Sequence, residues 1–189
     1  MLNKILPAQL KPGAFALMAL MAATRFHHFG DIISLPDASL AVFFLGGLWF
    51  GGLALFIALL VEAGLIDYLA ITQFGVSDFC ISQAYVFLIP TYAAVWFGGR
   101  YSRTFSHQVS QFASLVVSVS LAFLISNGSF YLLSGRYPDS SWAEYTARFM
   151  RYYPPYLQYT VIYVVAIYAL TQLYKQATAL AAEKQLPKA

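Results

Sequence analysis

Apolar side chains fill this chain in long, nearly unbroken runs, and the few polar positions between them divide it. A run from Pro12 to Thr24, lengthened toward an interface by Arg25, His27 and His28, predicts a first helix. From Ala38 to Phe74 the polar side chains are confined to Ser39, Glu62, Asp67, Tyr68, Thr72 and Gln73. As one helix that stretch would be about 55 Å long, against a hydrocarbon core of ~30 Å. The glycine pairs Gly46-Gly47 and Gly51-Gly52 offer a break, which predicts two short crossings. Further runs predict helices over Ile81–Phe97, Val109–Leu133 and Tyr156–Leu173, for six spans in all. The opening stretch, with Lys4 and Lys11 ahead of a short apolar run, also has the pattern of a signal peptide, but we expect it to be a span.

One segment between the runs has a pattern of its own. Ser141-Trp-Ala-Glu144 fits a capping box, in which the two polar side chains satisfy free N–H groups at a helix start. Trp142, Tyr145 and Phe149 then share one face, while Glu144 and Arg148 are spaced to pair on another. Pro154 and Pro155 are expected to end this helix. The result would be a short amphipathic helix across the outer surface, either an interfacial anchor or a lid over a pocket.

Composition fixes the solvent. Of 189 residues, 60% are hydrophobic and only 10% charged, with mean hydropathy +0.64, whereas soluble domains carry about 25% charged residues. The chain is therefore expected to be an all-α integral membrane protein, one domain over residues 1–189 in the lipid bilayer. A net charge of +3 is too small to argue for nucleic acid, but its distribution orients the chain. With six spans, Lys4, Lys11, Arg100, Arg103, Lys175, Lys184 and Lys188 share a side with one acid, Glu183. The other side holds Arg25, Arg136, Arg148 and Arg151 beside Asp31, Asp37, Asp78, Asp139 and Glu144. The positive-inside rule then places both termini in the cytoplasm. No GxxxxGK[ST] loop occurs, so any ATP-driven work falls to other subunits.

The candidate chemistry gathers on the outer side. Glu62 and Asp67 are ionisable residues inside a predicted span, which is costly and asks for a partner. Glu62 lies deeper and is expected to bond a neighbouring helix; Asp67 is either a lock with Arg25 or a histidine, or a ligand contact. His27 and His28 are adjacent, so on a helix they diverge by about 100° and only one can face a given site. No HxxxH, CxxC or HExxH spacing supports a protein-only zinc centre. Cys80 is the single cysteine, at the mouth of the fourth span. It is either a small buried hydrophobe, a nucleophile or a metal ligand; Asp78 nearby disfavours a free thiolate, and a bound cation would reverse that. Aromatic residues at 17%, including 14 Tyr and 16 Phe, exceed what spanning needs and suit a large planar ligand.

Thr24-Arg-Phe-His-His-Phe-Gly30, Leu35-Pro-Asp-Ala-Ser-Leu-Ala41, Asp67-Tyr68 and Ser77-Asp-Phe-Cys80 together resemble the BtuM family. These are solitary vitamin B12 uptake proteins of the energy-coupling-factor (ECF) S-component type, and the likeness runs along the whole chain. The resemblance implies a six-helix S-component bundle in the bacterial inner membrane, taking cobalamin or cobinamide at its outer face. It makes Cys80 the ligand to cobalt; imidazole also suits cobalt, so His28 is a competing ligand, and Asp67 and Tyr85 are expected as positioning residues. Strong donation from sulfur would weaken the bond across the metal, so a bound cyanide is expected to be lost from the cargo. Ala19-Leu-Met-Ala-Ala23 matches the AxxxA pattern on which S-components dock a coupling module, a transmembrane subunit with its ATPases. The rival from the residues alone is a membrane thiol enzyme with Cys80 as nucleophile, His28 as base and Asp67 as orienter.

Overall fold

The computed structural model of the protein describes residues 11–25, 35–79, 81–138 and 141–184, with side chains as far as 181. Among these residues there are six α-helices and no strand. They are α1 (Pro12–Arg25), α2 (Ser39–Trp49), α3 (Leu53–Phe74), α4 (Leu88–Ser102, led in by a 3-10 turn over Gln83–Phe87), α5 (Gln108–Leu133) and α6 (Trp142–Lys184). Cys80, His27 and His28 lie outside the described residues.

Among the described residues, three helices are long and apolar enough to cross a membrane: Leu53–Phe74, Gln108–Leu133 and Trp142–Ala181. Large apolar side chains also face outward on these helices, with Leu53 69%, Val117 67% and Leu132 70% exposed. An apolar exterior around a packed helical core suits lipid rather than water.

At the centre stands α2, whose Val42, Phe43 and Leu45 are fully enclosed. At about 1.5 Å per residue its 11 residues reach about 16 Å, roughly half the hydrocarbon core. The chain turns after Trp49 at Gly51, in the left-handed region at φ 66°, so the second glycine pair is the break. Gly46 and Gly47 instead lie inside α2 as a contact surface. A Cβ at Gly47 would land on the Trp96 carbonyl oxygen, and one at Gly99 on that of Phe44. Small residues on both helices thus let α2 and α4 backbones meet. Pro90, in the first turn of α4, gives up an N–H that has no intrahelical partner there.

The end of the chain departs from the sequence expectation. Pro154 and Pro155 do not end a short surface helix; α6 runs through both. Their missing N–H groups leave the Met150 and Arg151 carbonyls without their usual donors. What carries the helix across is its grip on α5: Phe149, Tyr153 and Tyr156 all pack edge-on against Phe123, at 5.3, 5.3 and 5.1 Å. Tyr153 adds a hydroxyl contact with Ser120 at 2.7 Å. The capping box is half formed. Ser141 Oγ accepts from the Glu144 N–H at 3.2 Å, but the Ser141 N–H donates to the Tyr131 hydroxyl at 2.7 Å. Glu144 turns to Tyr131 rather than to Arg148.

Candidate functional site

The ends of α1, α3 and α5 and the starts of α2, α4 and α6 meet at one end of the bundle, and the polar residues of the core collect there. Arg25 closes α1 and is buried. Its Nε lies 2.7 Å from Asp67 Oδ1 and its Nη2 2.6 Å from Asp67 Oδ2. Its Nη1 reaches Tyr92 Oη at 2.6 Å, Ser39 Oγ at 3.0 Å and Asp37 Oδ2 at 3.4 Å. One guanidinium therefore ties α1 to α2, α3 and α4, using the planar fork that suits a carboxylate. Asp37 in turn accepts from the backbone N–H and hydroxyl of Ser39, at 2.9 and 2.6 Å, as α2 begins. Thr24 Oγ1 accepts from the Ala38 N–H at 3.1 Å, and the Tyr163 hydroxyl of α6 donates to the Pro36 carbonyl at 2.8 Å.

Of the expected site residues, Asp67 and Tyr85 are brought together. The Tyr85 hydroxyl donates to Asp67 Oδ2 at 2.7 Å. Asp67 is thus paired with Arg25 and Tyr85, and both its oxygens are engaged. Cys80 and His28 fall outside the described residues. The neighbours of Cys80 in the chain are described, and Phe79 packs on Phe130 at 5.8 Å under the guanidinium of Arg136 at 4.8 Å. Glu62 does not bond a neighbouring helix as expected: its buried Oε2 has no hydrogen-bond partner among the described residues. Ala19 and Ala23 both face outward on α1.

Beside the Arg25 network opens a cavity of about 690 Å³. Asp37, Asp67, Tyr85 and Tyr92 line it on one side; α5 contributes Phe123, Asn127 and Phe130, and α6 contributes Arg148, Tyr152, Tyr156 and Tyr159. A second cavity of about 630 Å³ lies between α3 and α4, with Ile81 and Val86 on its wall. Arg25, Tyr85, Leu88 and Tyr92 border both. Arg148 lies over the rings of Tyr137 and Tyr152, at 4.4 and 5.1 Å from their centroids, and its buried Nε has no partner among the described residues. Aromatic walls with a few fixed polar groups, at a volume within the roughly 300–1,000 Å³ typical of ligand pockets, can hold a large flat molecule by stacking and orient it by hydrogen bonds.

Several of these wall residues were not singled out by sequence. Tyr92, Phe123 and Phe130 look like any aromatic residue in an apolar run. Asn127 carried the one usable signal, a polar amide deep in α5. The sequence matches no family model and no curated protein.

Proposed function

We propose that this chain is the substrate-binding component of a vitamin B12 uptake system of the BtuM type in the bacterial inner membrane. A corrinoid enters the 690 Å³ cavity, and Cys80 takes an axial position on its cobalt. The observation that carries this reading is the aromatic cavity at one end of an apolar helical bundle, with Phe79, the residue before Cys80, on its wall. A corrinoid is flat and wide, so the cavity would take part of it and leave the rest at the mouth. Asp67 and Tyr85 act as positioning residues, holding α3 against the start of α4 and so the approach to Cys80. Loss of an upper cyanide ligand follows from sulfur donation across the metal.

The six-crossing arrangement with cytoplasmic termini belongs to the same proposal. It is supported by the grouping of Arg25, Asp37, Asp67, Tyr85 and Arg148 at one end. At the other end, Arg100 donates to the Gly51 carbonyl at 3.3 Å, beside Arg103. A coupling module would dock on the outward face of Ala19 and Ala23. The reading is tested on purified protein incubated with cyanocobalamin. We expect a bound corrin spectrum, shifted from the free vitamin, that Cys80→Ala returns to the free-ligand form or abolishes. Protein that stays colourless, or an identical shift in Cys80→Ala, would overturn it.

A further inference from the structure

The second cavity, of about 630 Å³, is a groove whose shape follows from the burial of its walls. α3 packs on α1 and α2, while α4 packs on α2 and α5, and the groove lies where α3 and α4 face each other. Its described rims are exposed: Val61 on α3, and Val86 and Ile89 opposite. Below them Leu60, Gly64 and Leu88 are half-buried, and Ala63 forms a buried floor. The rims continue the outward apolar surface of α3, where Ile57 and Leu65 are exposed beside Val61. Ser82 and Gln83 stand at the end of the groove nearest Tyr85 and the Arg25 network, and Gln83 is exposed.

Gly64 sits on this wall without the reason that explains the glycines of α2 and α4. Glycine inside a helix is less favourable than alanine, so it asks for a compensating close approach. At Gly47, Gly98 and Gly99 an added Cβ would collide with Trp96, Ser118 and Phe44. At Gly64 it would meet nothing within 4 Å among the described residues. The glycine thus keeps open a space that α4 does not fill. An apolar wall with nothing against it forfeits its dispersion contacts, and the hydrocarbon of a bilayer restores them without asking for a hydrogen bond. An apolar cavity of about 150 Å³ holds a benzene ring, so this one has room for a far longer hydrocarbon. A flexible acyl chain can sink between the exposed rims, whereas a partner helix about 10–12 Å across would rest on them.

We propose that the groove between α3 and α4 binds one acyl chain of a membrane phospholipid, its methylenes over Gly64 and its headgroup at the Ser82–Gln83 end. The site is separate from the corrinoid reading and does not depend on it. The test titrates delipidated full-length protein in detergent with dioleoylphosphatidylglycerol and counts bound lipids by mass spectrometry of the intact complex. Wild-type protein is expected to take up a first lipid well before any others. Gly64→Leu fills the groove with a side chain of the protein, and should weaken that first step by about tenfold or more while leaving the later, non-specific ones unchanged. Gly64→Ala should fall between, and Val117→Leu on the outward face of α5 should behave as wild type. Because leucine replaces the missing hydrocarbon, Gly64→Leu should also raise the thermal midpoint of the lipid-free protein by a few degrees. Lipid binding is counted only on protein of intact mass that unfolds cooperatively, so a variant that fails to fold cannot imitate the loss. A first lipid bound equally by wild type and Gly64→Leu, or no preferred first lipid at all, would overturn the site. A wild-type dimer that Gly64→Leu separates into monomers would overturn it too, by showing that a second copy fills the groove.

Discussion

The two walls of the cavity are built on opposite terms. On the side of α1 to α4, Arg25 spends every nitrogen of its guanidinium on Asp67, Tyr92, Ser39 and Asp37, and Tyr85 completes Asp67. On the side of α5 and α6, Asn127 and Arg148 keep buried polar atoms with no partner among the described residues. A satisfied network in a low-dielectric interior fixes one arrangement of the helices, because every alternative leaves a buried charge unpaired. An unsatisfied wall has the opposite property: its unpaired atoms fix no arrangement and leave a desolvation cost standing. The comparison teaches that burial and charge alone do not separate scaffold from binding surface. Completeness of the hydrogen bonding shows which side fixes the helices.

The strongest way to break the comparison is at the satisfied wall. Asp67→Ala removes both acceptors of the Arg25 fork and leaves the buried guanidinium with only Asp37, 3.4 Å away, as a charged partner. Stranding one member of a buried ion pair costs about 3–5 kcal/mol. We expect a large fall in the thermal midpoint of the detergent-purified protein without any ligand. A midpoint unchanged within error would mean that the network is incidental.

How far the sequence could be read depended on whether each feature is local. Pro12–Arg25 and Gln108–Leu133 lie within a residue of their apolar runs, because bilayer-length hydrophobicity is a property of the segment itself. The two glycine pairs were indistinguishable by sequence. Gly47 serves close packing on Trp96 and Gly51 serves the turn, and only the position of α4 separates those roles. The Arg25–Asp67 pairing was one of the alternatives open from the cost of a charge inside a span. Tyr85 was expected only as a positioning residue near Cys80, with no partner named. Asn127 was missed because a neutral amide in an apolar run is a fainter signal than a carboxylate.

The second expected effect concerns α6, where the sequence expectation failed. Proline is a stop signal when nothing outside the helix holds it, and here Phe123 of α5 holds the residues on both sides. If that account is right, Pro154→Ala with Pro155→Ala should restore donors to the Met150 and Arg151 carbonyls and raise stability. An interior proline costs about 3 kcal/mol in a free helix; because the site is already held by packing, we expect a gain of about 1–2 kcal/mol. The readout is again the thermal midpoint in detergent. A fall would show that the prolines separate two helices after all. Combined with Phe123→Ala, the gain should change, since the ring and the prolines act on one segment.

The smallest effect sharpens the comparison most. Asn127→Leu and Arg148→Met are expected to leave the stability of the ligand-free protein within about 1 kcal/mol of wild type, although both residues line the same cavity as Asp67. The buried Oδ1 of Asn127 makes no hydrogen bond, so an apolar side chain of similar shape loses no partner and is relieved of its desolvation cost. A slight gain is therefore expected there. Arg148 differs, because its guanidinium lies over Tyr137 and Tyr152. Losing those contacts costs about 0.5–1 kcal/mol for each ring, and removing the unpaired Nε offsets part of it. The two substitutions should thus lie on either side of zero and far from Asp67→Ala. If Arg148→Met destabilised the protein as much as Asp67→Ala, Arg148 would be part of the scaffold, and the division between the two walls would fail.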